Sequence, residues 1–353
     1  MKNSSVCIVG YFGYGNFGDD LMLVNLTEFL LSKDIKVRVL TKNRLNELSN
    51  KVEQINISNN TGFLDYHRHF SNFDTVIWGG GTCLYSTNKN LRGLIGLLKR
   101  VLVAKYLKIN FIFLGIGIEK PKNLFYEILY KLILMNSKHL LCRDIESVKL
   151  ANKLNIKASL SHDLSILSVG DHRKSITEAN YIVFAVAGYE NVYPYINDIA
   201  QYLKSISNYF GKKILLISLH DGLDDECNLK LYEMLRGTVS VKFYSNIDVN
   251  EKVEIIKNSY FVISLRLHGI ILSDLLGLPV FGISYQDKVK QYLEKEDLYN
   301  HKRYFELTEN FDVNSTINSV VEQRKSQQLL IRLKAQKEGL ETMLASILDK
   351  KNL

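Results

Sequence analysis

The sequence predicts two α/β domains, each built on a parallel sheet, from three observations. A chain of 353 residues exceeds what a single hydrophobic core organises. Short β-branched and aromatic runs alternate with helical patterns through both halves, as in βαβ units. Those runs end repeatedly in glycine, or in Arg, His or Asp. In open α/β folds that end of the strand is where ligands bind.

The first half opens with a buried strand, Ser5–Val9, followed by a glycine-rich turn, Gly10 to Asp20, and a helical pattern to Ser32. Gly13, Gly15 and Gly18 match G-x-G-x-x-G, a phosphate cradle when it lies between a first strand and a first helix. The match is weak alone. The next strand, Lys36–Thr41, ends without the acidic residue a dinucleotide ribose wants, and Asp19 and Asp20 would repel a deep phosphate. Asp19 is therefore expected as the helix N-cap, with Gly15, Asn16 and Gly18 shaping a loop toward a ligand. A short helix and a poor strand are expected over Asn43–Ile57. Strand Asp74–Trp78 runs into Gly79-Gly80-Gly81, where missing side chains suit the close approach of a ligand or of the other domain. A basic amphipathic helix over Asn90–Lys108 is expected to turn its lysines to solvent. Strand Asn110–Leu114, helix Leu124–Asn136 and strand His139–Cys142 follow. Arg143 stands at that strand's end, Asp144 is expected as an N-cap, and Asp163 ends the half.

The polar stretch 169–180 has neither period and is expected to separate domains 1–168 and 169–353. Strand Tyr181–Ala187, helix Tyr195–Tyr209, strand Lys213–Leu219, helix Asp224–Leu235, strand Val239–Tyr244 and helix Asn250–Asn258 then alternate. The acidic run Asp221–Glu226 lacks a bracketing His or spaced carboxylate and is expected to cap a helix; His220 is a candidate second imidazole. The most informative stretch is Phe261–Gly282. A strand breaks at Arg266-Leu267-His268-Gly269, an apolar helix closes at Gly277, and Pro279 opens the next strand. That turn joins a permanent cation, a titratable imidazole, a glycine and a helix N-terminus, all suited to an anion. A plain turn whose Arg and His pair with carboxylates is the competing expectation. Ser284 and Lys288 flank a further strand end. From Asn314 a long, charged helix is expected.

With 46% apolar residues, the composition is that of a soluble globular protein. The net charge of +8 suits nucleic acid, anionic lipid or an anionic substrate. Without a dense basic block interleaved with aromatics, nucleic acid is not expected. Cys7, Cys83, Cys142 and Cys227 are far apart and outside any ligand spacing, so buried reduced thiols and no metal are expected. No signal-type start and no apolar run near the ~18 residues of a membrane span are present. The expected location is cytoplasmic, with the inner face of the plasma membrane left open by the positive charge.

These pieces, in this order, resemble the polysaccharide pyruvyl transferase family. The resemblance rests on Gly15-Asn16-Phe17-Gly18-Asp19, Gly79-Gly80-Gly81, Gly115-Ile116-Gly117, Arg143-Asp144 with Ser147, and Asp163. It rests most on Ser264-Leu265-Arg266-Leu267-His268-Gly269 through Gly282-Ile283-Ser284-Tyr285 with Lys288. Gly115-Ile116-Gly117-Ile118-Glu119-Lys120 departs from the Gly-Gln-Gly-Ile-Gly-Pro frequent in relatives. The resemblance implies two Rossmann-like domains facing across a cleft, as in GT-B-type glycosyltransferases. The first would be the acceptor side, with Arg143 reaching the donor, and the second the phosphoenolpyruvate side. It also implies transfer of a carboxyethylidene group from phosphoenolpyruvate to two hydroxyls of a sugar in a bacterial surface polysaccharide or its lipid-linked repeat unit. No cofactor beyond that co-substrate is implied. His268 and Arg266 would be catalytic. Arg143, Lys288, Gly269, Gly15, Asn16, Gly80, Gly81 and Ser284 would contact substrates. A nucleotide-sugar glycosyltransferase of the same architecture and a non-catalytic glycan-binding relative are the alternatives.

Overall fold

The computed structural model describes residues 4–58, 61–86, 90–168, 179–295, 299, 302–326 and 328–348. The stretch expected to separate the domains therefore lies, except for 179–180, outside the described residues. Two compact units emerge. One comprises Met1–Tyr14, Asp19–Leu167 and Gln336–Leu353; the other comprises Gly15–Gly18 and Ser168–Ala335. The expected division at 168/169 would have put 15–18 and 336–353 in the opposite units.

The first unit is built on β1 (Ser5–Val9), β2 (Lys36–Thr41), β3 (Glu53–Asn56), β4 (Thr75–Gly79), β5 (Thr82–Leu84), β6 (Asn110–Ile118), β7 (His139–Cys142) and β8 (Ser159–Leu160). Their order is β3-β2-β1-β4-β6-β7-β8, with β5 beside β6, and every pairing is parallel. The helices are α1 (Phe17–Ser32), α2 (Phe63–Phe70), α3 (Leu91–Tyr106), α4 (Leu124–Leu134) and α5 (Ile145–Lys153). β1 is buried along its whole length, as a parallel strand covered on both faces must be. Cys7, Val76, Phe111 and Phe113 from the sheet pack with Leu97, Val101, Tyr130 and Ile133 from α3 and α4.

The second unit repeats the plan with β9 (Tyr181–Ala185), β10 (Lys213–Ile217), β11 (Val241–Tyr244), β12 (Val262–Ser264), β13 (Val280–Ser284) and β14 (Tyr304–Glu306). Their order is β11-β10-β9-β12-β13-β14, again all parallel. Helices α6 (Ile196–Phe210), α7 (Asp225–Leu235), α8 (Val249–Lys257), α9 (Leu267–Leu275), α10 (Asp287–Lys295) and α11 (Val313–Lys325) follow in chain order, and α12 (Gln328–Leu348) begins in this unit but from Gln336 onward belongs to the first. Both sheets have the doubly wound order, which reverses between β1 and β4 in one and between β9 and β12 in the other. α9 is mostly apolar and buried almost throughout. It ends in a Schellman motif: Gly277 has φ +68°, Gly277 N donates to Asp274 O and Leu278 N to Ser273 O.

Several expectations are corrected. No helix forms over 43–52. There the Gln54 side chain clasps Leu45, accepting from its N–H at 3.0 Å and donating to its carbonyl at 2.8 Å, so side-chain bonds displace helical ones. Strand β6 continues past Leu114, because β5 pairs with its far end. It passes a bulge at Gly115, where φ is +64° and a Cβ would sit 2.9 Å from His162 O. Asp19 is not the N-cap of α1. The helix starts at Phe17, and the Asn16 side chain accepts from Gly18 N at 3.2 Å, which is the capping bond. The C-terminal helix is two helices, separated at Ser326, whose backbone is extended.

Candidate functional site

In the second unit the candidate side chains gather at the ends of β9 and β12, where the strand order reverses. Ser264, the last residue of β12, shapes the turn: its hydroxyl accepts from Arg266 N at 3.0 Å and donates to Arg266 O at 2.8 Å. Arg266 is then the N-cap of α9, and His268 lies in the first turn. Gly269 is close-packed; a Cβ there would meet Ser264 Oγ at 2.6 Å and Leu219 at 2.9 Å.

Arg266 is held from one side by Asp224. Its Nε donates to Asp224 Oδ2 at 3.0 Å and its Nη2 to Asp224 Oδ1. The Asp224 side chain is 0% exposed and that of Arg266 11%. Asp224 also accepts from Gly188 N and His220 N, both at 2.9 Å, so its carboxylate is saturated by four donors. The bidentate fork uses Nε and Nη2 and leaves the Nη1 edge of the guanidinium for another acceptor. Tyr189 lies under the guanidinium, 5.1 Å from ring centre to Cζ, and stacks on Tyr285 at 5.4 Å. Burial alone would lower the Arg266 pKa, but the neighbouring Asp224 carboxylate holds it above the ordinary range. Burial likewise pushes the Tyr285 phenol up, against the lowering effect of Arg266.

The loop 15–18 closes the other side. Phe17 N donates to Leu219 O, and Asp221 N to Gly15 O, each at 2.9 Å, with Asn16 bridged to His220. Gly15 has φ +76°. Asp221 is fixed in turn by Lys252, whose Nζ reaches both its carboxylate oxygens at 2.8 Å. Gly18 lies flat against the His268 imidazole; a Cβ on it would fall on Nδ1, Cγ and Cε1 of the ring. Arg266, His268, Gly269, Gly15 and Asn16 thus form one cluster.

The acidic run does not cap its helix as expected. Asp224 stands at the cap position but makes no cap bond there, because its carboxylate serves Arg266. His220 orders the loop through its N–H and through a ring contact to Asp221 O at 3.2 Å. Ser284 ends β13 and lines a cavity of about 310 Å³ with Asn191, Tyr195, Gln286, Lys290 and Glu306. Lys288 is exposed in the first turn of α10. Among the described residues, no three His, Cys, Asp or Glu are grouped to hold a metal.

In the first unit Arg143 directly follows β7. Its Nη2 donates to Thr82 Oγ1 at 2.9 Å, and carboxylates lie at 3.5 Å (Asp144) and 3.6 Å (Asp163). Gly117 makes room for it: a Cβ there would be 3.1 Å from Nη2. Asp144 caps α5 through Ser147 N at 2.7 Å, as expected. Gly80 and Gly81 have φ near +75°, and added Cβ atoms would meet Met22 Sδ at 2.5 Å and Asp19 Oδ1 at 2.7 Å. Packing and backbone conformation thus explain both glycines. Sequence reasoning missed Asp224 as the partner of Arg266, Tyr189 beneath it, Thr82 on Arg143 and the role of Gly18. Only the chain's glycine and acid runs hinted at any of them.

The family model described as polysaccharide pyruvyl transferase matches residues 16–287. No curated protein sequence matches the chain. Among solved structures the chain is similar to UDP-GlcNAc 2-epimerase from Methanocaldococcus jannaschii, at 14% identity over 97% of this chain and 99% of that one, with TM-score 0.62. A putative UDP-N-acetylglucosamine 2-epimerase from Listeria monocytogenes gives 12%, 98%, 96% and 0.63. A glycosyltransferase from Rickettsia africae gives 11%, 99%, 100% and 0.64. These likenesses establish a GT-B-like fold of two Rossmann-like units.

Proposed function

The chain belongs to the polysaccharide pyruvyl transferase family, and we propose that it moves a carboxyethylidene group from phosphoenolpyruvate to two hydroxyls of one sugar. The acceptor in this reading is a bacterial surface glycan or its lipid-linked repeat unit, met in the cytoplasm. Phosphoenolpyruvate is the only co-substrate required.

The observation that carries the reading is the Arg266–His268 turn at the reversal point of the second sheet. A small dianion needs fixed cations and N–H donors, and the α9 N-terminus with the Nη1 edge of Arg266 supplies both. Protonation of the enol CH2 by His268 makes a methyl group and an electron-poor C2. A first sugar hydroxyl adds at C2 and gives up its proton. Phosphate then leaves with its bonding pair, and the second hydroxyl adds and loses its proton to close the ketal. One proton is taken up at carbon and two are released from hydroxyls, so the sum is ketal plus phosphate with one proton passed on. A single imidazole serves both directions. Asp224 fixes the guanidinium in orientation, and Gly18 fixes the ring. Arg143, Lys288 and Ser284 are proposed as further substrate contacts.

A nucleotide-sugar glycosyltransferase is the second reading, favoured by the fold shared with enzymes whose names include UDP-sugars. Incubation with phosphoenolpyruvate and acceptor glycan, scored for inorganic phosphate and for a glycan mass gain of one carboxyethylidene, separates the two. Release of UDP from a UDP-sugar, without phosphate from phosphoenolpyruvate, overturns the proposal.

A further inference from the structure

Nearly all of the chain's excess positive charge lies in one stretch. Residues 91–138 hold nine Lys and Arg against Glu119 and Glu127, +7 of a total of +8. The stretch is α3, β6 and α4 of the first unit. The same two helices turn an apolar face outward.

α4 is apolar on two sides. Its inner side, Tyr126, Leu129, Tyr130, Ile133 and Leu134, is buried. Its outer side presents Leu124 (68% exposed), Phe125 (57%), Ile128, Leu132 and Met135 (55%). At 100° per residue these five positions share an arc of about 100°. α3 adds Ile95, Leu102 and Tyr106, all exposed. The two outer faces adjoin, since Lys105 Nζ on α3 donates to Asn136 just past α4 at 2.7 Å. Tyr106 also packs against Phe63 of α2 at 6.2 Å. Exposed Lys99, Lys105 and Lys131 lie along the edges of the patch. Glu127, one turn before Lys131 on α4, is an exposed acid on the same edge. A contiguous apolar face of this kind, with lysines outnumbering that acid along its edges, marks an interaction surface.

We propose that this α3–α4 face docks onto an anionic lipid bilayer, the apolar residues entering the headgroup boundary and the lysines meeting lipid phosphates. Charge decides between occupants. In a two-fold contact with a second copy, the same lysines would oppose one another across a dry patch. An anionic surface neutralises them. Docking would bring a lipid-linked acceptor within reach of the enzyme, but its test involves no turnover and so stands or falls apart from pyruvyl transfer.

The test is sedimentation of the full chain with phosphatidylcholine vesicles and with equimolar phosphatidylcholine–phosphatidylglycerol vesicles. Expected is at least ~10-fold stronger partitioning to the anionic vesicles at low salt, largely lost at high salt. Lys99→Glu with Lys131→Glu should lower it by ~10-fold or more. Phe125→Ser with Ile128→Ser should lower it at any salt, with the thermal midpoint checked in parallel; should that pair unfold, the charge reversals decide. Equal partitioning to both vesicle types, no binding at low salt, or charge reversals that bind as the wild type overturn the proposal. So does a dimer by light scattering that the serine pair turns into a monomer.

Discussion

One added methyl group at Gly18 separates a working imidazole from a structural one. Gly18 lies in the first turn of α1, where alanine is favoured over glycine by about 1 kcal/mol. Its Cβ would overlap the His268 ring. Relieving that overlap costs roughly 1–3 kcal/mol and moves the ring by on the order of an ångström. The two stability terms largely offset, so Gly18→Ala should lose at most about 2 kcal/mol in urea unfolding. A displacement of that size at a reacting group costs ~100-fold in turnover. Phosphate release from phosphoenolpyruvate in the presence of acceptor glycan measures the second effect. In Gly18→Ala with His268→Ala the overlap is gone, so the stability loss should be recovered while activity stays absent. The reasoning is refuted by a Gly18→Ala enzyme as fast as the wild type, or by a double variant no more stable than Gly18→Ala.

Three further outcomes are expected. Asp224→Asn strips Arg266 of its counter-charge at a site with 0% and 11% exposed side chains, and should cost about 3 kcal/mol of unfolding free energy by urea titration. Asp274→Ala should cost about 3–5 kcal/mol, because Arg303, whose Nη1 donates to Asp274 at 2.7 Å, would remain charged at 0% exposure. Burial pushes the Cys7 and Cys142 thiols from 9.0 up to about 12, so at pH 8 neither should react with a thiol-specific disulfide reagent until denaturant is added. Because those folded values are raised, their stabilisation is complete below about pH 9 and is lost as pH rises toward 12, at about 1.4 kcal/mol per pH unit per thiol. Urea midpoints at pH 8 and pH 10 should show the fall, and Cys7→Ala should lessen it.

What the sequence made legible was local. The run Ser5–Val9 is apolar at every position and is a buried strand end to end. Gly277 and Pro279 marked the end of α9 to the residue, because a left-handed cap and a helix-breaking ring act at fixed offsets. Asp144 capped α5 for the same reason. Pairings between distant residues were not legible. Asp224 carries the same local signal as any helix-start acid, yet its partner is 42 positions away. Gly18 read as shaping a loop toward a ligand, whereas its contact is with His268, brought in by tertiary folding alone. Asn43–Ile57 had adequate helical composition, but Gln54 bonded the backbone of Leu45 instead. The +8 charge was counted over the whole chain, and only the exposure of Leu124, Phe125 and Met135 tied its concentration in 91–138 to a face.

In the proposed reaction His268 moves protons at a donor site held by its neighbours, and His268→Ala tests that directly. Single-turnover phosphate release at saturating phosphoenolpyruvate should slow by ~100-fold or more, while the Kd for phosphoenolpyruvate stays within about threefold of the wild type. An unchanged rate of phosphate release would contradict it.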